Sequence, residues 1–251
     1  MILYESTHEG TLYELGTSGF LYRSDKLMYD QATKSLWNTL QGRPVVGPLV
    51  GKDIQLVRRS VVTTTWGEWR RRHPMTTVLS LDTGFQRDYG EGVAYRGYFS
   101  TDELMFSIPT KDSRLKNKDE VLGLVFDEAS GEALAIEVAY LLERPVYQGE
   151  LSSRKFVVLT DASGAARVYE ASDHRFEAWD GNRTVRDSAG GAWRVLEDRL
   201  QFDSGSENDP GRTLRRLPQH RAFWFGWHAA FPKTALVRSL PDDEAVPKPS
   251  K

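Results

Sequence analysis

The densest group of residues that could do chemistry lies at 30–37, where the sequence is DQATKSLW. A carboxylate from Asp30, hydroxyls from Thr33 and Ser35, and the indole of Trp37 could line a ligand cleft beside an aromatic wall. The same residue types also build a structural turn, in which the aspartate accepts hydrogen bonds from backbone amides and the tryptophan packs in the core. A structural turn accounts for all four residue types, so the structural interpretation is favoured. The aligned second copy keeps Asp187 and Trp193 but has Ala189 and Gly191 in place of the hydroxyls, so Thr33 and Ser35 are the part of the ligand hypothesis that is special to this segment.

Four further residues extend this candidate ligand site. Ser18 lies in GTSGF at 16–20, which is one residue short of the Gly-x-Ser-x-Gly nucleophile elbow and is therefore discounted as a nucleophile. His73 precedes a proline, and Asp88 and Tyr89 supply a carboxylate and a phenol suited to acid or base roles. A small hydrolytic or acid/base enzyme that uses Asp30, His73 or Asp88 is thus the alternative to a binding module.

No metal site is predicted and no cofactor is identified. The chain has no cysteine, and its five histidines show no metal-ligand spacing, although a site assembled from distant histidines is invisible in sequence. The glycines at 42, 47 and 51 are not followed by the Gly-Lys-Ser/Thr of a phosphate loop. The sequence therefore contains no complete catalytic motif.

Composition excludes some classes of partner. The 251 residues include 33 basic and 35 acidic side chains, and a net charge of -2 gives no electrostatic case for nucleic acid. No stretch approaches the roughly 18 consecutive apolar residues of a membrane span. Strand-like sequence begins at Ile2, with no export signal before it, and the compartment is not identified.

A degenerate internal repeat organises the chain, and tryptophans are its anchors. TWGEWRRRHPMTTVL at 65–79 aligns without gaps with FWFGWHAAFPKTALV at 223–237, and DQATKSLW aligns with DSAGGAW at 187–193 with one deletion. Because each indole can bury a large apolar area, the aligned tryptophans are predicted to lie in the core, and the aligned prolines are predicted to be structural. This structural set comprises Trp66, Trp69, Pro74, Trp193, Trp224, Trp227 and Pro232. His73 aligns with Phe231, so packing is favoured over catalysis there.

Alternating apolar residues and frequent glycines predict a mainly β fold with few short helices. Each repeat is expected to hold short twisted strands followed by one short tryptophan-bearing helix. Thr65 and Glu68 match a capping box, and Pro74 ends the first helix near Arg72. A turn is predicted at 16–20, a hairpin at 155–171 and a short helix within 135–142.

The expected organisation is a first repeat with a connector region at 1–114, a second repeat at 115–240 and a disordered tail at 241–251. The boundary falls in the charged segment LKNKDEV at 115–121. The two repeats are expected to form one compact unit.

Two segments, YELGTSGFLYRSDKLMYDQATKSLWNTLQGRPVVGPLVG and WGEWRRRHPMTTVLS, together resemble a bacterial domain-of-unknown-function family, family 3179. The resemblance is strong over residues 12–80 and weaker through to 234. Members of that family carry an additional N-terminal segment with a Cys-Pro-Leu-Cys strand that has no counterpart here. The resemblance therefore implies no cysteine chemistry for this chain, and it leans towards the bacterial cell envelope.

Within the repeat alignment, the first copy lacks a counterpart to 121–166. A half-missing repeat leaves open sheet edges and apolar surface. We expect a partner chain or a dimer mate to cover them, unless residues 82–118 fold back to do so. The leading functional hypothesis is a binding or interaction module whose ligand the sequence does not identify, ahead of the enzyme and of a degenerate relative without activity.

Overall fold

The computed structural model describes residues 1–204 and 211–239, and over these ranges the chain is mainly β with four short helices. The tail predicted to be disordered lies outside the described residues. Most strands are short because turns interrupt the chain frequently, many of them at glycines or at other residues with positive φ. The mainly β class predicted from the sequence is confirmed.

The first half is a set of small antiparallel sheets followed by two helices. Its strands are β1 (Leu3–Tyr4), β2 (Thr7–His8), β3 (Thr11–Leu12), β4 (Leu15–Tyr22), β5 (Asp25–Asp30), β6 (Leu36–Asn38), β7 (Arg43–Val46) and β8 (Arg58–Arg59). β4 to β7 form a four-stranded meander, β1 pairs with β8, and β2 pairs with β3. Helices α1 (Trp66–Arg72) and α2 (Arg96–Phe99) come next.

The second half contains most of the buried core. Its elements are β9 (Glu120–Leu124), β10 (Leu134–Glu137), α3 (Val138–Glu143), β11 (Val146–Leu151), β12 (Arg154–Thr160), β13 (Ala166–Glu170), β14 (Phe176–Trp179), β15 (Thr184–Asp187), β16 (Ala192–Val195), β17 (Arg199–Phe202), β18 (Thr213–Arg215), β19 (His220–Phe223), α4 (Trp224–Ala230) and β20 (Ala235–Val237).

Three sheets build this half. The first has the order β19-β9-β10-β20, with β20 parallel to β10, the second is β11-β12-β13, and the third is the meander β14 to β18. Alternate residues of β9, β10, β12 and β13 meet in one apolar cluster with α3. The meander closes a second cluster around Trp193.

Several local predictions agree with the structure and one does not. The predicted hairpin at 155–171 is β12 with β13, and helix α1 ends at Arg72 as expected. The turn predicted at 16–20 is wrong: these residues lie inside β4, at a register shift between Thr17 and Leu21. The Ser18 hydroxyl donates to the carbonyl of Leu27 and accepts from the amide of Phe20, which makes the segment a bulged strand.

Hydrogen bonds join the two halves directly. The amide of Val61 donates to the carbonyl of Gln219, and the side chain of Gln219 donates back to the carbonyl of Val61. Arg23 and Gln41 of the first meander donate to the last carbonyls of α4, at Ala229 and Ala230. The first half thus contacts the end of α4 in the second half.

Candidate functional site

The predicted cluster at 30–37 forms a closed turn between β5 and β6. Asp30 and Trp37 are buried, and the carboxylate accepts hydrogen bonds from the Thr33 amide at 2.6 Å, the Thr33 hydroxyl at 2.7 Å and the Trp37 indole at 3.3 Å. Ser35 is fully buried, and its oxygen accepts from the Leu49 amide at 3.2 Å. The structure brings the four residues together, and their polar atoms bind one another and the neighbouring backbone.

The same arrangement recurs at the aligned aspartate. Asp187 accepts from the Gly191 amide at 2.8 Å and from the Trp193 indole at 2.9 Å. Burial acts to raise the pKa of both carboxyls, but the donated hydrogen bonds outweigh it and hold each pKa below the ordinary range of aspartate. Both aspartates are therefore ionised at neutral pH. Each one joins its turn to a buried indole by hydrogen bonds.

The other predicted ligand residues lie elsewhere. Asp88 and Tyr89 are exposed, the former accepting from the Gly90 amide and the latter sharing a hydrogen bond with Thr83. His73 caps α1 and packs against Trp69, with the ring centroids 4.0 Å apart and the rings tilted by 33°. The aligned Phe231 packs against Trp227 at 4.4 Å, so an apolar ring fills the same position in the other helix. No hydrogen bond, ion pair or ring contact in the described ranges joins these residues to the turn at Asp30.

The two tryptophan-bearing helices have matching geometry. Each has seven residues, and the amides of the aligned cap residues, His73 and Phe231, donate to the carbonyls of Trp69 and Trp227. The indole of Trp69 donates to the Thr76 hydroxyl at 3.2 Å, and that of Trp227 to Thr234 at 2.9 Å. The duplication remains a prediction, but aligned residues make the same contacts at both helices.

Exposure separates the two helices. Trp224 and Trp227 are 1% and 0% exposed, whereas Trp66 and Trp69 are 50% and 40% exposed. The prediction that the aligned tryptophans lie in the core is therefore wrong for Trp66 and Trp69. The reason is the absence of strands over α1 in the described part of the chain.

In the second half, a β-hairpin covers the tryptophan face of α4. β9 and β10 are antiparallel, and β20, which follows α4, adds to β10 in parallel register. Trp227 lies against Gly123 of β9 so closely that a Cβ there would be 2.1 Å from the ring. The segment aligned with β20 is 77–79, which belongs to no strand and leaves Val78 and Leu79 exposed.

We refer to Trp66, Trp69 and the exposed Val78 and Leu79 as the α1 face. Residues 82–118 do not cover it, since Trp66 remains half-exposed. Part of that segment packs at α4 instead, where the Trp224 indole donates to the carbonyl of Asp112 at 3.1 Å. Trp66 and Trp69 are thus half-exposed, whereas the aligned Trp224 and Trp227 are buried beneath β9 and β10.

The opposite side of α1 carries a buried ion cluster that the sequence did not predict. Thr65 caps the helix by accepting from the Glu68 amide at 3.2 Å, but the buried Glu68 side chain turns inwards to Arg72 and lies 3.9 Å from Arg167 of β13. Arg167 also pairs with Glu197 at 3.0 Å. The guanidinium of Arg167 outweighs the effect of burial and lowers the pKa of Glu197. The sequence carried no signal for this cluster, because Glu68 and Arg167 are far apart in the chain and meet only in the folded structure.

The described residues contain no group of histidine, aspartate and glutamate side chains arranged to hold a metal ion. None of the helices in the described ranges is long and apolar enough to cross a membrane.

A family model described as "Protein of unknown function (DUF3179)" matches residues 1–234. The chain belongs to the DUF3179 family. The DUF3179 match extends over both halves, including α1, α4 and the turns at Asp30 and Asp187, and it confirms the resemblance seen in the sequence. No curated protein and no solved structure matches the chain.

Proposed function

We propose that this DUF3179 protein is an interaction module whose α1 face binds a β-hairpin of another polypeptide. One observation carries the proposal: the two helices share C-cap and indole hydrogen bonds, yet the tryptophans of α4 are buried and those of α1 are half-exposed. Surface-exposed paired indoles followed by exposed aliphatic residues are typical of protein interaction sites.

The covered helix α4 indicates what the occupant resembles. Its cover is an antiparallel pair with a glycine beneath Trp227, and its outer strand accepts β20 in parallel. A hairpin that covers α1 in the same way would place a glycine against the ring of Trp69. It would also pair with residues 77–79, whose backbone is in no strand.

Charge adds a further requirement. Arg70 and Arg71 are exposed on α1. On α4 the residue aligned with Arg70 is His228, and its Nε2 lies 3.2 Å from a carboxylate oxygen of Asp112. We expect the bound hairpin to be flanked by an acidic residue opposite Arg70, which would add orientation and a faster association rate.

The probe is the hairpin that this chain already uses, made as a cyclised peptide of residues 120–137. Calorimetric titration into the whole protein is expected to show saturable binding. The matched control peptide carries Gly123→Leu, which places a side chain where the ring of Trp69 must lie, and it is expected not to bind.

Two protein variants locate the contact. Trp66→Gln removes a half-exposed indole and should weaken binding of the peptide about tenfold or more, as loss of a central aromatic contact does. Leu142→Gln removes an apolar side chain of similar exposure on α3 and should leave binding unchanged. Equal affinity for both peptides would contradict the proposal.

A second copy of the chain is the other occupant predicted from the sequence. Sedimentation of the protein alone separates the cases: the proposal expects a monomer that binds the peptide. A dimer that Trp66→Gln dissociates would assign the α1 face to self-association instead. Acid/base chemistry at Asp30, Ser35 and His73, and a family member without activity, remain the alternatives, and no contact in the site favours either.

A further inference from the structure

The meander β14 to β18 presents a basic face to solvent on the side away from its apolar cluster. Alternate residues of a strand point to opposite sides of its sheet. The inward residues Val185, Trp193 and Leu200 are buried in the cluster around Trp193. The outward residues of β15 to β18 are Thr184, Arg186, Ala192, Arg194, Arg199, Gln201, Thr213 and Arg215. Half of them are arginines and none is acidic, so this face of the four strands carries charge of one sign.

The strand register places the four arginines in one diagonal row, which we call the arginine stripe. Arg199 and Arg215 lie directly opposite each other on β17 and β18. Arg194 lies diagonally from Arg199 across β16 and β17, and Arg186 lies diagonally from Arg194 across β15 and β16. Diagonal neighbours in an antiparallel sheet are about 7–8 Å apart, so the stripe runs without interruption across four strands.

The protein itself supplies carboxylates to one end of the stripe. Arg199 pairs with Asp198, and Arg215 pairs with Glu170 at 2.6 Å. Like charges that lie directly opposite each other destabilise a sheet, so these two acids offset the repulsion between Arg199 and Arg215. The two ion pairs also show that a carboxylate reaches the guanidinium of an arginine on this face.

The other end of the stripe has no such acids. Arg186 and Arg194 are exposed, and neither side chain forms an ion pair, a hydrogen bond or a ring contact with the described residues. Asp203, the first acid after β17, forms no ion pair with either arginine, and Glu177 of β14 pairs with Arg175 at 3.6 Å. Two neighbouring guanidiniums of the stripe therefore keep their hydrogen-bond donors available to a partner.

The chemistry of the face narrows the class of partner. A guanidinium fork binds a carboxylate or a phosphate through two parallel hydrogen bonds. The exposed large apolar side chains of the described residues all lie outside the meander, so the stripe has no stacking platform for nucleic-acid bases and no apolar anchor for a lipid surface. Carboxylates on alternate residues of an extended peptide are about 6.6 Å apart, twice the rise per residue, which is close to the diagonal spacing of Arg186 and Arg194.

We propose that the arginine stripe binds an acidic, extended segment of a partner protein, whose carboxylates on alternate residues pair with Arg186 and Arg194. The partner would supply to this end of the stripe what Asp198 and Glu170 supply to the other end. Because charge complementarity contributes more to orientation and association rate than to affinity, we expect weak and salt-sensitive binding. The stripe shares no residue with the α1 face, so the two proposals succeed or fail separately.

The test uses three short fluorescent peptides, whose binding to the whole protein is measured by anisotropy at low ionic strength. The first alternates glutamate with threonine, the second contains the same residues with all glutamates grouped at one end, and the third has glutamine in place of glutamate. The alternating peptide is expected to bind about threefold or more tightly than the grouped peptide, since one more exposed ion pair then forms. The glutamine peptide is expected not to bind.

Two variants and a matched control locate the contact. Arg194→Gln should weaken binding of the alternating peptide about threefold, as the loss of one exposed ion pair does, and Arg186→Gln combined with it should weaken binding about tenfold. Arg154→Gln is the control, because Arg154 is also exposed but lies on β12, outside the meander. Trp66→Gln should leave binding of the acidic peptide unchanged, which separates this surface from the α1 face.

The comparison of peptides uses the unmodified protein, so it decides the matter even if a variant fails to fold. Equal binding of the alternating and grouped peptides, or no binding of either, would overturn the proposal. Equal losses in Arg194→Gln and Arg154→Gln would mean attraction by overall charge and would overturn the stripe as the site. Tighter binding of a single-stranded oligonucleotide of the same net charge would assign the stripe to nucleic acid and would also overturn the proposal.

Discussion

At the scale of single residues, the polar side chains that the sequence singled out as a candidate ligand site form hydrogen bonds within their own turns. Asp30 and Asp187 each bind a buried indole and the amides of their own loop. Removal of such an aspartate leaves buried donors unpaired, and the cost of unpaired donors usually exceeds the net value of the bond itself. The residue scale therefore supports structural roles at the site predicted from the sequence, and the ligand role of Ser35 and Thr33 stays a prediction.

Asp30→Ala is expected to lower the free energy of unfolding by about 1–3 kcal/mol, because the Trp37 indole and the Thr33 amide lose their acceptor. Thermal and urea unfolding measure the change. Asp88→Ala is the matched control, since Asp88 is exposed and accepts from the Gly90 amide alone among the described residues, and it should be near neutral. An unchanged melting temperature with lost ligand binding would instead support a ligand site at Asp30.

Acid should destabilise the protein through the same two aspartates. Their pKa values in the folded state lie below the unfolded value of about 3.9, so their contribution is fully present above that value. It is lost as the pH falls through the lower folded pKa, because both states are then protonated. Stability measured from about pH 5 downwards should decline less steeply in Asp30→Asn combined with Asp187→Asn. An identical decline in the double variant would contradict this assignment.

At the scale of elements, the tight contact between β9 and α4 depends on a glycine. Trp227 occupies the space that a Cβ of Gly123 would need. The contact places an indole directly on a strand backbone, and it explains how a short helix of seven residues is held in place. The same contact defines what a partner must offer to Trp69.

Gly123→Ala is expected to destabilise the protein by about 1–3 kcal/mol or more, because the indole and the strand must move apart. Gly67→Ala is the matched change in α1, where a Cβ would meet no atom within 4 Å. That variant should stabilise the protein by up to about 1 kcal/mol through helix propensity. Urea denaturation of both variants checks the pair, and equal effects would contradict the packing described for Trp227.

The elements that local rules specify were predictable, and those that depend on distant contacts were not. Thr65 and Pro74 bound α1, and the hairpin of β12 and β13 follows from alternation around a glycine turn. The bulge in β4 was missed because Gly16 to Gly19 looks like a turn, whereas pairing with β5 extends the strand. Exposure of Trp66 was missed because burial depends on whether a partner strand is present, which the helix sequence does not encode.

At the scale of the whole molecule, each half contacts the helix of the other, but in different ways. α4 is held by Arg23 and Gln41 on one side and by its own hairpin on the other. α1 is held by Arg167 through Glu68, and its second side faces solvent. The molecule therefore contains one tryptophan-bearing helix that is covered on both sides, α4, and one that is exposed on one side, α1. This difference is the basis of the proposed interaction.

The most direct measurement records the indole signals of ¹⁵N-labelled protein during titration with the cyclised 120–137 peptide. The account predicts shifts at the indoles of Trp66 and Trp69, and no shifts at Trp224 and Trp227, which the chain's own hairpin already covers. Signals that move only at Trp224 and Trp227 would mean that the peptide exchanges with β9 and β10. That result, or four unmoved indoles, would contradict the proposal that α1 is the binding face.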